Sequence, residues 1–174
     1  MSVQNHRDSK RSWIVGIACG LVCVLVVLRH YFSLALALGD SMLPTLKSGD
    51  LLLISRKSYS HVEPRRGDIV LARLEGDLIV KRVVGLPVEE IEVKDGALYV
   101  NEVFTPEPHT LTNFVRFDIA RGKLFDGRFA ILGDNRAIPP TQVFHPIISK
   151  DQMVGKVLFS INISRLRIKY LGNA

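Results

Sequence analysis

Cysteine is nearly absent from this chain. Its two cysteines, Cys19 and Cys23, lie in one apolar run, and the other residues of the 174 include none. That excludes a disulfide framework and a cysteine metal site. The histidines, His6, His30, His61, His109 and His145, are scattered without ligand-like spacing. No metal and no other cofactor is therefore expected. Aromatic residues nowhere interleave with basic ones in a stripe, which argues against nucleic-acid binding despite a net charge of +6. The charge is spread out, with small clusters at Arg7, Lys10 and Arg11 and at Arg165, Arg167 and Lys169. Such a surface suits anionic lipid headgroups. Internal repeats and low-complexity segments are also missing. A length of 174 residues fits one domain with little left over.

What the chain does have is one long uncharged run, Ser12 to Leu28, followed by Arg29 and His30 and then a second apolar stretch, Tyr31 to Leu38. The run is slightly short for a span of about 20 residues. Arg29, whose stem can snorkel, and the aromatics Tyr31 and Phe32 extend it. An uninterrupted apolar helix has no polar face to show to water, so a membrane span is the better reading than a core helix. The expected organisation is a basic tail at 1–11, a transmembrane helix at 12–30 and a β-rich domain at 31–174. Arg7, Lys10 and Arg11 should hold the N-terminus in the cytoplasm, leaving the domain on the outer side of the plasma (inner) membrane. A cleavable leader is the rival, because Ala35-Leu36-Ala37 resembles a cleavage site.

Beyond the span, strand signals dominate. Short apolar runs stand at Leu51–Ile54, Ile69–Ala72, Leu78–Val84 and Phe129–Leu132. Asp95-Gly96 is a hairpin signal between Ile91–Val93 and Ala97–Val100. No long stretch outside the span has helical periodicity, so the fold class is mostly β. Thr105 to Asp126 is irregular and reads as a loop-rich insertion. Arg165 to Tyr170 alternates strictly, which predicts a basic face toward lipid and an apolar face packed on the domain.

Two residues carry the chemistry. Ser41 stands in Gly39-Asp40-Ser41-Met42-Leu43-Pro44-Thr45. A serine after Asp is commonly only a turn residue. Here Pro44 fixes the backbone just beyond it and Met42 can anchor the loop, so the hydroxyl can be held in one place. A serine hydroxyl is a weak nucleophile and needs a base. In Leu78 to Val84, alternation puts Lys81 on one face and Arg82 on the other, each among apolar neighbours. Arginine stays protonated, whereas desolvation can strip a lysine of its proton. Lys81 is thus the one of the pair able to act as a base, and the pattern suggests a membrane-tethered serine hydrolase.

The stretch Gly39 to Leu46 resembles the nucleophile motif of type I signal peptidases. Lys81-Arg82-Val83-Val84-Gly85-Leu86-Pro87 resembles their general-base motif, and Gly133-Asp134-Asn135-Arg136 the start of their third motif. Asp95 to Asn101 resembles the family's hairpin, and Met153-Val154-Gly155-Lys156 its closing strand. The likeness runs from the anchor to Val157. It implies a signal-peptidase-like β catalytic domain that cuts exported preproteins after Ala-x-Ala sites. Ser41 would be the nucleophile, Lys81 the general base and the Ser41 N–H an oxyanion donor. The signal peptide would lie extended, with small side chains in shallow pockets lined by Leu36, Leu38, Gly39, Asp40, Met42, Leu78, Ile79 and Val80. Pro44, Arg82, Gly133, Asp134, Asn135 and Thr141 would support the site. Membrane lipid is the other expected partner.

The sequence also departs from that pattern. Gly39 replaces the serine that gives some relatives a second oxyanion donor, although other relatives also carry glycine there. Where the family has a serine, an aspartate and an arginine after Gly-Asp-Asn-Arg, an ungapped count gives Pro139, Thr141 and Val143. Thr141 is the available substitute for the serine that bonds the lysine. Val88-Glu89 replaces the usual Gly-Asp. These changes leave open a peptidase maturing a dedicated substrate, or an anchored peptide-binding domain with impaired catalysis. A self-cleaving repressor with the same dyad would need a cytoplasmic DNA-binding domain, for which the short N-terminal tail leaves no room.

Overall fold

A computed structural model describes residues 3–111, 118–138, 147–162 and 167–171. Helix α1, Val3–Tyr31, contains the apolar run. Its segment Trp13–Tyr31 is long and apolar enough to cross a membrane, and none of it is buried against the rest of the chain. Arg29 and His30 occupy its last turn, where cations meet the negative end of the helix dipole.

The strands that follow are β1 Phe32–Leu36, β2 Leu51–Ser55, β3 Ile69–Leu74, β4 Asp77–Gly85, β5 Glu90–Lys94 and β6 Ala97–Val100. They continue as β7 Val103–Thr105, β8 Ile119–Lys123, β9 Arg128–Leu132, β10 Ile147–Ser149, β11 Met153–Asn162 and β12 Arg167–Tyr170. One sheet has the order β1-β2-β11-β3-β4-β9-β10, with β12 added to β11, and a smaller one the order β7-β6-β5-β8. All the strand pairs are antiparallel. The mostly-β expectation holds.

β3 explains how the large sheet is built. Ile69 and Leu71 enter a core cluster with Met42, Leu46, Leu52, Ile54 and Val157. Val70, Ala72 and Leu74 enter another with Val83, Phe129, Ile131 and Ile148. Alternation along one strand thus feeds apolar groups on both faces, which is why the segment reads as a continuous apolar run. A third cluster joins Val84, Ala130 and Leu132 of the large sheet to Ile91, Val93, Leu98 and Val100 of the small one. The turn of the β5–β6 hairpin is Asp95-Gly96, at φ 51° and 78°, the paired positive angles that a tight two-residue hairpin requires.

Three expectations are refined. The irregular stretch after Thr105 holds β8, which pairs with β5. Only Ile119 of β8 is turned inward, and Arg121 ion-pairs with Glu90 and Glu102, so no apolar alternation marked this strand. The alternating tail forms β12, but all four of its side chains are exposed, Ile168 at 69%. Its pairing with the Phe159–Asn162 end of β11 satisfies backbone groups without burying an apolar face, and Leu171 is the first residue to turn inward. Ala35 and Leu36 of the cleavage-like site are paired with Leu52 and Leu51, and Ala37 is buried, so this segment is not a free peptide. Val88 takes a positive φ of 62°, a conformation in which a β-branched residue is strained and glycine is not. Neighbouring Glu89 is engaged, pairing with Arg66 at 2.6 Å and accepting the Leu86 N–H at 2.7 Å.

Candidate active site

Ser41 opens a turn fixed from below by two apolar side chains. Met42 and Leu46 are buried in the core, and the Leu46 N–H donates to the Met42 carbonyl at 2.9 Å. The Leu43 N–H closes the other side of the turn onto the Asp40 carbonyl at 3.1 Å, and the Leu43–Pro44 peptide is cis. From above, Asn135 clamps the same loop twice. Its backbone N–H donates to the Ser41 carbonyl at 3.0 Å, and its side-chain amide donates to the Asp40 carbonyl, also at 3.0 Å. The serine backbone is therefore held from both sides while its hydroxyl stays free. Among the described residues, neither the Ser41 Oγ nor the Ser41 N–H has a hydrogen-bond partner.

Gly133 connects this loop to β4. A Cβ built on it would overlap the Ser41 carbonyl oxygen and come within 3.5 Å of the Ser41 Cβ. Only a glycine lets the two backbones approach so closely. β4 and β9 pair Arg82 with Leu132, so Gly133 follows directly on the last rung of that ladder, at the end where Lys81 adjoins Arg82. Gly133 thus links the Ser41 loop to the Lys81 end of the β4–β9 pair.

The alternation that puts Lys81 and Arg82 on opposite sides of β4 gives them different surroundings. Arg82 is 4% exposed and fully partnered. Its Nε donates to Asp134 Oδ1 at 2.8 Å, one terminal nitrogen to Asp134 Oδ2 at 2.7 Å and the other to the Gly67 carbonyl at 2.7 Å. The Thr45 hydroxyl donates to the same Asp134 carboxylate. Lys81 is half-buried, and its Nζ has no hydrogen-bond or ion-pair partner among the described residues. Burial pushes its pKa below the ordinary lysine value, with the Asp134 carboxylate acting in the opposite sense. Desolvation of such an amine shifts its balance toward the neutral form, the form that can accept a proton.

Behind this pair lies more buried charge. Arg136 is 1% exposed. It donates through Nε to the Gly133 carbonyl at 2.9 Å and forks onto Glu107 at 2.7 and 2.9 Å. Glu107 is pushed up by burial, against the pull of Arg136. His109 stands beside this group with a buried Nε2 that has no partner among the described residues. Burial and the Arg82 charge push its pKa down, Asp134 opposing.

The structure thus brings Ser41, Lys81, Arg82, Gly133, Asp134 and Asn135 together. Leu36, Leu38 and Leu78 are exposed at 55%, 81% and 53%, while Gly39 and Asp40 are exposed beside Ser41. Ile79 and Val80 are half-buried and pack on the core clusters. Met42 has its side chain in the core and has only backbone left to face a groove. Pro44 is exposed and stands next to Thr45. Thr141, with Pro139 and Val143, lies outside the described residues. Sequence reasoning gave no role to Thr45, Glu107, Arg136 or His109. Thr45 and Asp134 are 89 positions apart, and no spacing rule joins them. For Arg136 the adjoining Gly133-Asp134-Asn135 was the available signal.

Residues 10–161 match a family model described as signal peptidase, peptidase S26. The chain is 30% identical over 165 residues to signal peptidase IB of Staphylococcus aureus (strain COL), covering 84% of this chain and 86% of that one. It is 35% identical over 176 residues to signal peptidase I of Bacillus caldolyticus, covering 91% of this chain and 93% of that one. Among solved structures, a signal peptidase I from Enterococcus faecalis V583 aligns with a TM-score of 0.45 at 22% identity, over 55% of this chain and 97% of that one.

Proposed function

The chain belongs to the signal peptidase, peptidase S26, family, and from that premise we propose a membrane-anchored serine endopeptidase that removes signal peptides from exported preproteins after Ala-x-Ala-type sites. Ser41 is the nucleophile and Lys81 the general base. The observation that carries this reading is a Ser41 hydroxyl and a desolvated Lys81, both without partners among the described residues, on elements that meet at Gly133. The two are not hydrogen-bonded, as is common for catalytic groups without substrate.

Neutral Lys81 takes the hydroxyl proton as Ser41 Oγ attacks the scissile carbonyl. The Ser41 N–H, without another partner among the described residues, faces the oxyanion. Lysine then returns the proton to the leaving amine, and an ester joins the signal peptide to Ser41. A water that gives its proton to Lys81 attacks that ester and releases the peptide carboxylate and the serine hydroxyl.

An extended substrate has a place to lie. β9 covers β4 only from Arg82 onward, which leaves the other edge of Asp77–Lys81 open among the described residues. An open edge takes an added strand through main-chain hydrogen bonds. Exposed Leu78 on that strand, and Leu36 and Leu38 near the nucleophile, supply apolar surface for small side chains. α1 crosses the plasma membrane with its N-terminus in the cytoplasm and the β domain outside, the orientation that the early basic residues favour.

Cleavage of an Ala-x-Ala preprotein in lipid by wild type, Ser41→Ala and Lys81→Ala tests the assignment. Wild type is expected to release the signal peptide and both variants to leave the preprotein intact. Processing by either folded variant would sink the dyad.

A further inference from the structure

Two adjoining cavities flank the C-terminal end of α1. One, an open groove of about 830 Å³, is lined by Leu25, Leu28, Phe32, Leu34 and Leu53 and bordered by Arg29 and Arg56. The other, of about 580 Å³, shares Arg29 and Arg56 and adds Lys57 and Arg73. The junction is tied together by the Arg56 N–H, which donates to the Tyr31 carbonyl at 2.9 Å.

Arg29, Arg56, Lys57 and Arg73 have no side-chain hydrogen bond or acidic partner among the described residues. Elsewhere in the domain Arg66, Arg82, Arg121, Arg136, Lys150 and Lys156 pair with carboxylates, whereas here four such cations gather at one junction. The helix dipole accounts for a cation at Arg29, in the last turn. It does not account for Arg56 and Lys57, which come from the turn after β2, or for Arg73 of β3. Four uncompensated cations beside an apolar slot at the end of a membrane helix have one complementary ligand chemistry. It is a phosphate carrying acyl chains.

We propose that this junction is a binding site for one anionic phospholipid of the outer leaflet. Its phosphate sits among Arg29, Arg56 and Arg73 while an acyl chain fills the slot between α1 and the β1–β2 pair. The inference rests on the reading of α1 as a membrane anchor. The lipid supplies the negative charge that the fold omits there, and it fixes the height of the domain against the bilayer.

Native mass spectrometry of the full chain ejected from nanodiscs of equimolar phosphatidylglycerol and phosphatidylcholine tests this. One phosphatidylglycerol should be retained, roughly tenfold or more in preference to phosphatidylcholine. An Arg29→Gln/Arg56→Gln/Arg73→Gln variant should lose it. The corresponding triple lysine variant, and a Lys94→Gln/Lys123→Gln control on the small sheet, should keep it. Preprotein cleavage by each variant reports folding separately. Adducts that follow the bulk lipid ratio, retention by the glutamine variant, or displacement by inorganic phosphate alone would each overturn the proposal. A chain that does not float with vesicles overturns the anchor reading and this one with it, whereas one that floats without anionic preference overturns only this one.

Discussion

The two sides of β4 at Lys81 and Arg82 differ in almost every electrostatic respect. On one side Arg82, Asp134 and Thr45 form a buried group in which the charges are matched. On the other, the Ser41 hydroxyl and the Lys81 amine have no partners among the described residues. Adjacent residues of one strand thus serve opposite ends. The matched side fixes where Gly133, Asn135 and the Ser41 loop sit, and the proposed function needs the unmatched side to keep a hydroxyl and an amine available for reaction. Held rigidly, unpartnered groups can persist at a cost that the surrounding structure offsets.

The largest effects should come from breaking the unmatched side. Ser41→Ala and Lys81→Arg are each expected to lower the initial rate of preprotein cleavage by on the order of 10⁴-fold or more, with little change in unfolding midpoint. The arginine keeps the charge but cannot act as a base. Breaking the matched side should read out first in stability. Arg82→Met leaves Asp134 buried and unpaired, which should cost about 3–5 kcal/mol in denaturant unfolding. Adding Asp134→Leu to that variant should restore most of the stability but not the cleavage rate, because Thr45 of the Ser41 loop would still lack its carboxylate partner.

The wall between the sides comes next. Gly133→Ala forces a Cβ onto the Ser41 carbonyl and should cost about 1–3 kcal/mol, with a fall in cleavage rate larger than the stability loss explains. Thr45→Val removes one donor to the Asp134 carboxylate and should cost about 1–2 kcal/mol by the same unfolding assay. The smallest effect is a gain. The Lys81 pKa is lower in the folded chain than in the unfolded one, so protonated Lys81 weakens the fold at every pH below its folded value. Wild-type stability should recover from this as pH rises from the folded value to the unfolded one. A Lys81→Met variant, stripped of activity, should therefore exceed wild type in stability near neutrality and lose that margin in alkaline solution.

How far the sequence revealed this comparison depends on range. β2, β3, β4 and β9 of the large sheet were legible because each carries an uninterrupted apolar run, and the β5–β6 hairpin because Asp95-Gly96 marks its turn; β1, at Phe32–Leu36, was hidden in the apolar stretch that follows the span. β8 was not, since an edge strand held by Arg121 ion pairs carries no apolar alternation. Alternation separated Lys81 from Arg82 but left open which was buried. Burial was decided by Asp134, 52 positions from Arg82, a partner no local pattern discloses. The same holds for Thr45 and for Arg136 with Glu107, whose meeting depends on how the loop after β9 returns across the sheet.

The central claim is that a desolvated Lys81 acts as the base for Ser41. It is tested most directly by the pH dependence of kcat/KM for preprotein cleavage in lipid. The account predicts activity that rises with pH through a single apparent pKa below the ordinary lysine value of 10.5, and that is absent from Lys81→Met at every pH. A rise only near the ordinary lysine value, or cleavage by a folded Lys81→Met variant, would contradict it.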